Sequence, residues 1–159
     1  MNTKIFLDLE LTIVESWTDP TLVNVDKIRA TLEKFGVTEV GIFSFAIWDD
    51  GDVSDFYKRK LNTLIETALG VKISQILTIP EIAKVVFWKT GLMMDVPEFI
   101  STWGKPRAFI DWVLMGHGKE CAHTNFILID DVVQNITTHD RDRDITVTLI
   151  NVNSIDGGP

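Results

Sequence analysis

Short apolar runs separated by amphipathic segments predict alternating strands and helices along most of the chain. Apolar runs at residues 4–8 and 125–131 each predict a strand, the first of them buried. The run at 40–47 is nearly all apolar, which is typical of a strand buried on both faces of a parallel sheet. Residues 145–152 alternate β-branched and other apolar residues and predict a last strand. Because helical segments separate the first three runs, the pattern predicts an α/β domain with a mainly parallel central sheet.

Apolar residues at 3.6-residue spacing predict the helices. The clearest helix covers residues 25–35, with Asn24 placed to cap its start and Gly36 to stop its end. Residues 13–24 have no clean period and are expected to form an irregular loop or small hairpin, while 139–144 reads as a charged loop. Further helices are expected at about 54–69, 79–90, 97–103 and 106–115.

Length and composition indicate one globular domain. The 159 residues are enough for a substantial core, and 45% apolar with 24% charged residues is ordinary for a folded protein. We expect a single domain over residues 1–154, with 13–24 as a flap after the first strand. Residues 155–159 are expected to be a flexible tail.

Charge and cysteine content exclude some classes of function. Lys and Arg number 15 against 23 Asp and Glu, giving a formal net charge of −8, whereas a protein that coats nucleic acid needs a basic face. The single cysteine, Cys121, cannot form an intrachain disulfide. Neither a signal-peptide pattern nor an apolar run of about 20 residues is present, so we expect a cytoplasmic protein that does not enter a membrane.

Carboxylates follow two of the predicted strands. Asp8 ends the first run and Glu10 comes two residues later, so in an extended chain both point to the same face. Asp130 and Asp131 end the run at 125–131. Ligands of open parallel sheets bind at the carboxyl ends of strands, so these acids are expected to meet at one edge. Acids at such close range favour a metal ion or acid/base chemistry.

Four short motifs, in the order in which they follow one another along the chain, resemble those of the haloacid dehalogenase-like (HAD) superfamily of phosphohydrolases. The family's first motif, a strand followed by Asp-x-Asp-x-Thr, corresponds to residues 8–12, Asp-Leu-Glu-Leu-Thr. Its second, a Ser or Thr closing an apolar strand, corresponds to Ser44, and its third, a Lys near a helix start, to Lys105. Its fourth, an acidic pair after an apolar strand, corresponds to Asp130 and Asp131.

The resemblance spans roughly residues 4–135 and implies a phosphohydrolase with a three-layer Rossmann-like core. Asp8 would be the nucleophile that forms an aspartyl-phosphate. Thr12, Ser44 and Lys105 would bind the phosphoryl group, and the last two would neutralise its charge in the transition state.

The resemblance also implies a magnesium site. Mg²⁺ prefers hard oxygen ligands, which Asp8 and Asp130 would supply as carboxylates. Asp131 and Asn135 would orient the metal's water shell or Lys105, and whether Asp130 or Asp131 contacts the metal directly is left open. The family's metal contact from the position of Glu10 is made by the backbone carbonyl, so it should survive the change of side chain.

The sequence departs from the family at Glu10, where phosphatase members carry an Asp that serves as general acid/base. Glutamate is one methylene longer, so its carboxyl group would be displaced by about 1 Å, which can cost about 10²-fold in rate. Three outcomes stay open: Glu10 acts as the acid/base after the loop adjusts, the phosphoenzyme is long-lived, or the site binds its ligand without turnover. The first hypothesis is a phosphomonoesterase, possibly a nucleotidase, and the alternative is a catalytically impaired binding or regulatory module.

The gaps between motifs leave little chain for a cap over the site. The gap at 13–24 allows only a flap, and 45–104 contains helices of which some belong to the core. An open site is therefore expected, with a small phosphorylated substrate, a nucleotide or a phosphorylated macromolecule as its ligand; the oligomeric state is left open. Trp17, in the flap, is placed to stack on a base or ring of the substrate.

Other interpretations of the same residues stay open. A receiver-like domain also gathers acids, a Ser or Thr and a Lys at one sheet edge, although its acid pair lies near the N-terminus. Lys105 could be an ordinary surface lysine, with Arg107 as its substitute in the site. His117, Cys121 and His123 offer three ligands for a zinc ion.

Overall fold

A six-stranded sheet forms the centre of the computed structural model, which describes residues 2–117 and 125–156. The strands lie in the spatial order β3-β2-β1-β4-β6-β5, and all neighbours are parallel except β5, which is antiparallel to β6. The α/β class and the mainly parallel sheet are thus confirmed. The strands are β1 (Thr3–Leu7), β2 (Glu39–Phe43), β3 (Lys72–Leu77), β4 (Asn125–Asp130), β5 (Ile136–Asp140) and β6 (Ile145–Asn151).

The strand order creates a crevice beside the end of β1. From β1 the chain builds outward through β2 to β3, and it then returns to place β4 on the other side of β1. In open α/β sheets, such a reversal of strand order leaves a crevice at the carboxyl ends of the strands, where ligands bind. The residues that follow β1 and end β4 therefore lie at the favoured position for a site.

Helices cover both faces of the sheet. Buried side chains of the first three helices share one apolar cluster, and those of the last three share the other. The helices are α1 (Val25–Phe35), α2 (Asp50–Lys58), α3 (Leu61–Leu69), α4 (Ile79–Thr90), α5 (Val96–Thr102) and α6 (Lys105–Asp111), which continues as a π-helix over Trp112–His117.

The central strand contributes side chains to both clusters, as the period of a strand requires. Phe6 packs edge-on against Phe109 and Trp112, with ring centroids 5.4 Å away in each case. A Cβ atom at Gly41 on β2 would lie 2.3 Å from the Phe6 ring. Only glycine fits there, so the neighbouring strand is adapted to this aromatic group.

The prediction of a single helix over 54–69 is wrong, because the segment forms two helices, α2 and α3. Lys60 adopts a left-handed conformation with φ 58° and separates α2 from α3. The first of them, α2, begins before the predicted range, at Asp50, where the Asp49 carboxylate accepts a hydrogen bond from the Asp52 N–H. The apolar stripe was continuous across the break, so periodicity alone did not show it.

Two edge strands were missed by the sequence analysis. β3 lies at one edge of the sheet and is half exposed, and β5 lies at the other edge with a polar sequence, Ile-Thr-Thr-His-Asp. Neither carries the continuous apolar run that marks strands buried on both faces. The strand predicted at 40–47 is also shorter, since β2 ends at Phe43.

The flap at 13–24 is folded against the rest of the chain. Ile13 and Val14 are buried in the core, and the Val23 N–H donates to the Ile13 carbonyl. Of the tail, Ile155 packs against the apolar cluster around β1, and 157–159 lie outside the described residues. Within the described ranges, no helix is long and apolar enough to cross a membrane.

Candidate functional site

Asp8 is fixed at the end of β1 by its backbone and by both oxygens of its side chain. Its N–H donates to the Ile129 carbonyl of β4 at 3.0 Å. Asp8 Oδ2 accepts from the Thr12 hydroxyl at 3.0 Å, and Oδ1 accepts from Lys105 Nζ at 2.9 Å. Both Asp8 and Thr12 are buried, so the carboxylate is oriented before any ligand arrives.

A tight turn after Asp8 brings Thr12 back to it. The Leu9 carbonyl accepts from the N–H groups of Thr12, Ile13 and Val14. Asn24, predicted as a helix cap, makes no capping hydrogen bond; its side-chain amide donates to the Thr12 carbonyl at 3.1 Å. Asn24 therefore supports the turn of the site, a role that the sequence did not reveal.

Lys105 joins the strand end to the last helices. It is the first residue of α6, it is buried, and its Nζ lies 2.9 Å from Asp8 Oδ1 and 2.7 Å from Asp130 Oδ2. The interpretation of Lys105 as a surface lysine is thus wrong. Arg107, its substitute, is exposed, and its guanidinium lies 3.6 Å from the centre of the Trp103 ring.

The charge of Lys105 is held by its neighbours. Burial disfavours the ammonium and lowers its pKa, but attraction to the charges of Asp8 and Asp130 and the hydrogen bond to Asp8 act in the opposite direction. The net effect is that the pKa of Lys105 is raised above 10.5. The site therefore keeps a fixed positive charge at neutral pH.

Three carboxylates form a group that could hold a metal ion. One oxygen from each of Asp8, Asp130 and Asp131 lies within 4.8 Å of the others. Asp130 is fully buried; its Oδ1 accepts from the Val132 N–H at 2.9 Å, whereas Oδ2 receives no hydrogen bond within the described part of the chain. Its contact with Lys105 is an ion pair whose angles fall outside hydrogen-bond geometry. A buried oxygen left in this way fits a further cationic ligand.

The pKa of Asp131 shows the excess of negative charge in this group. The pKa of Asp131 is raised to about 6, first by burial and then by its hydrogen bond with Asp8 and the charges of Asp8 and Asp130. A single ammonium, that of Lys105, faces three carboxylates. A hard divalent cation would compensate the remaining charge and would favour the ionised form of Asp131.

Ser44 follows the end of β2 and faces the same cleft. It is buried, and its Oγ accepts from the Ala46 N–H at 3.2 Å. The described residues provide no acceptor for its hydroxyl proton. Ser44 therefore retains a donor that could bind an oxygen of a ligand.

Glu10 lines the cleft, but its carboxylate does not belong to the metal-binding group. Glu10 Oε2 accepts from the Trp17 N–H at 2.8 Å, which ties it to the flap. The Trp17 ring lies parallel to Phe56, with 6.5 Å between centroids, and 4.9 Å from the guanidinium of Arg59. Trp17 is thus packed within the protein and does not line the cleft.

These groups open into a cleft of about 510 Å³. Its lining combines the predicted site residues with apolar side chains that the motifs did not indicate. The zinc alternative depends on Cys121 and His123, which lie outside the described residues. The lining residues are Asp8, Glu10, Leu11, Ser44, Phe45, Ala46, Ile100, Gly104, Lys105, Pro106, Asp131 and Val132.

The arrangement places a buried carboxylate, a fixed ammonium, a free hydroxyl donor and a metal-binding carboxylate group around one cleft at the carboxyl edge of the sheet. Comparison with known proteins gave no further information: neither a family model nor a curated protein nor a solved structure matches this chain.

Proposed function

We propose that the protein is a Mg²⁺-dependent phosphomonoesterase with a Rossmann-like domain of the haloacid dehalogenase-like type. The observation that carries the proposal is the contact of Lys105 with both Asp8 and Asp130 across the ends of adjacent strands. It joins three of the four motifs that suggested the family. The parallel order around β1 and the position of the cleft support the same assignment.

The first chemical step is attack by an Asp8 oxygen on phosphorus. The new bond joins Asp8 to the phosphoryl group, and the bond from phosphorus to the leaving oxygen breaks. Glu10 donates a proton to that oxygen. Lys105 and Ser44 donate hydrogen bonds to the phosphoryl oxygens, which carry the charge of the transition state.

The second step returns the enzyme to its starting state. A water molecule gives a proton to Glu10 and attacks phosphorus, and the bond to Asp8 breaks to release inorganic phosphate and the carboxylate. Thr12 donates to Asp8 Oδ2 and keeps the carboxylate in position through both steps. Asp8, Asp130 and Asp131 would hold Mg²⁺, which would supply charge neutralisation at the phosphoryl group.

The test is hydrolysis of para-nitrophenyl phosphate by the wild-type protein and by Asp8→Asn. We expect release of phosphate that requires Mg²⁺ and falls by at least about 10³-fold in the variant, because the amide is not a nucleophile. Thr18→Ala, a change at an exposed flap position, serves as the matched control. Hydrolysis that survives in Asp8→Asn would contradict the proposal.

The second candidate is a binding or regulatory module with the same fold and metal site, and the contact between Glu10 and the flap favours it. A carboxylate engaged by the Trp17 N–H at 2.8 Å is less free to transfer a proton. This candidate predicts that Mg²⁺ raises the melting temperature while no phosphoester in a broad panel is hydrolysed. Efficient turnover of any of them would exclude it.

A small phosphorylated compound or a nucleotide is the proposed ligand, and a cytoplasmic location is part of the same proposal. The acidic net charge of −8 is compatible with such a ligand, because the positive field is supplied locally by Lys105 and the metal.

A further inference from the structure

The cleft beyond the carboxylates is lined by apolar side chains. Leu11 comes from the turn after β1, Phe45 from the loop after β2, Ile100 from α5, Pro106 from α6 and Val132 from the loop after β4. We call these five residues the apolar collar. They come from five different segments, so the collar is a property of the assembled cleft and not of one amphipathic element.

Two members of the collar are exposed to a degree that needs an explanation. Leu11 is 53% exposed and Val132 is 70% exposed, although burial of such side chains stabilises a fold. Both stand directly beside motif residues, Leu11 between Glu10 and Thr12 and Val132 after Asp131. Their apolar surface is therefore presented to whatever enters the cleft.

The backbone at Leu11 makes the choice of leucine costly. Its φ is 59°, in the left-handed region where glycine and asparagine are more easily accommodated than a bulky residue. Since Leu11 is 53% exposed, burial of its side chain offsets little of the cost of this backbone conformation. Such local strain is concentrated at functional sites, which points to a contact that the leucine makes with a ligand.

The charges around the cleft indicate what the ligand lacks. Among the described residues that line it, Lys105 is the one cation, and it is already paired with Asp8 and Asp130. Glu10 and Asp131 add negative charge to the same lining. Within the part of the lining that the structure describes, no other cationic side chain is therefore available to pair with a second phosphate or a carboxylate on the substrate.

We propose that the apolar collar binds the leaving group of the phosphoester, and that this group is apolar and uncharged, of the aryl or alkyl class. The inference rests on the proposed phosphohydrolase function. It narrows the substrate to a monophosphate whose remaining part is hydrophobic, and it argues against nucleoside diphosphates, triphosphates and sugar bisphosphates. Leu11 is then a specificity residue that contacts the leaving group.

The first experiment measures kcat/KM in the presence of Mg²⁺ for two pairs of monophosphates. Hexyl phosphate is compared with glycerol 3-phosphate, and 2-naphthyl phosphate with O-phosphotyrosine, so that each pair shares its bond type and differs in polarity. We expect the apolar member to be preferred by about tenfold or more, the discrimination that a small apolar contact provides. Adenosine diphosphate should be the poorest substrate.

The second experiment uses Leu11→Asn and Leu11→Gly, since both residues accept a positive φ. Each variant should lose about tenfold more in kcat/KM for 2-naphthyl phosphate, mainly through KM, than it loses for glycerol 3-phosphate. The melting temperature should stay equal or rise, because the backbone strain is relieved. Leu92→Asn, at a leucine that is 57% exposed and outside the cleft, is the control. It should leave kcat/KM unchanged for both substrates.

The outcomes separate the two proposals. Equal kcat/KM within both pairs, or an unchanged preference in the Leu11 variants, would overturn the inference and leave the phosphohydrolase intact. Absence of hydrolysis with all of these compounds and with para-nitrophenyl phosphate would overturn the proposed function and the inference with it.

Discussion

Lys105 Nζ donates to Asp8 Oδ1 at 2.9 Å, although the two residues are 97 positions apart in the chain. The contact brings the start of α6 to the end of β1, and both residues line the cleft. Because both side chains are buried, the energy of this pair depends on each partner having the other. Several properties of the protein should respond to its removal.

Replacement of Lys105 by methionine should destabilise the protein strongly in the absence of Mg²⁺. The change leaves Asp8 and Asp130 buried without a cation, and breaking such a pair costs about 3–5 kcal/mol. The free energy of unfolding from urea denaturation at neutral pH is the measurement. Added Mg²⁺ should restore part of the loss, since a second source of positive charge then reaches the same carboxylates.

Two variants control for this result. Lys58→Met, at an exposed lysine of α2, should change the free energy of unfolding by less than about 0.5 kcal/mol. Asp8→Asn added to Lys105→Met removes one stranded charge and should recover part of the stability. If Lys105→Met and Lys58→Met unfold at the same urea concentration, the buried pair does not contribute as the geometry indicates.

The stability of the metal-free protein should depend on pH through Asp131. Its pKa is raised from 3.8 to about 6 in the folded chain, first by burial, so between these values the folded state binds more protons than the unfolded state. The stabilising contribution of Asp131 to the free energy of unfolding is therefore present below about pH 4 and is lost as pH rises through about 6. Since the carboxyl group is only partly buried, solvent screening reduces the effect to about 1 kcal/mol.

Comparison of the wild-type protein with Asp131→Asn isolates this contribution. The free energy of unfolding of the variant should gain about 1 kcal/mol on the wild type between pH 4 and pH 7, measured without Mg²⁺. Mg²⁺ competes with the proton on Asp131, so the wild-type affinity for Mg²⁺ should increase over the same pH range. Parallel pH profiles for the two proteins would rule out Asp131 as the titrating group.

Two substitutions at Glu10 should separate its contact with the flap from its proposed role in proton transfer. Glu10→Gln keeps an oxygen that accepts from the Trp17 N–H but cannot exchange a proton, so we expect loss of about 10²-fold or more in kcat at unchanged stability. Glu10→Asp keeps the carboxyl group but is too short for the 2.8 Å contact, so it should cost about 1 kcal/mol of stability.

The flap itself provides the readout for the second variant. Proteolysis within 15–21 should be faster in Glu10→Asp than in the wild type or in Glu10→Gln, because a backbone hydrogen bond that anchors the flap is lost. Full activity in Glu10→Gln would assign the residue to the flap alone and would favour another proton donor.

The sequence predicted those parts of the fold in which pattern and environment agree. α1 matches its predicted range of 25–35, and β4 ends one residue before its predicted range does. β4 could be predicted because it carries a continuous apolar run, which marks a strand buried on both faces of the sheet. β3 and β5 have no such run. They are the two outer strands of the sheet, each pairs with only one neighbouring strand, and their side chains are partly exposed. The break at Lys60 depends on one left-handed residue inside an unbroken apolar stripe.

The candidate site was predicted as a set of residues and not as a set of contacts. Asp8, Asp130 and Asp131 were expected at one sheet edge, and the structure brings them together. The pairing of Lys105 with Asp8 spans most of the chain, and local patterns carry no information at that separation. The attachment of Glu10 to the flap, and the support that Asn24 gives to the motif turn, depend on how loops fold back.

The antiparallel direction of β5 has a practical consequence. β5 starts where the parallel strands end, on the side of the sheet that carries the cleft. Its turn into β6, residues 141–144, therefore lies at the opposite ends of the strands. Asp140 holds this turn locally by accepting from the backbone N–H groups of Asp142 and Arg143. A fluorophore or an affinity handle inserted there would leave the mouth of the cleft open, so the turn is a natural point for immobilising or labelling the protein.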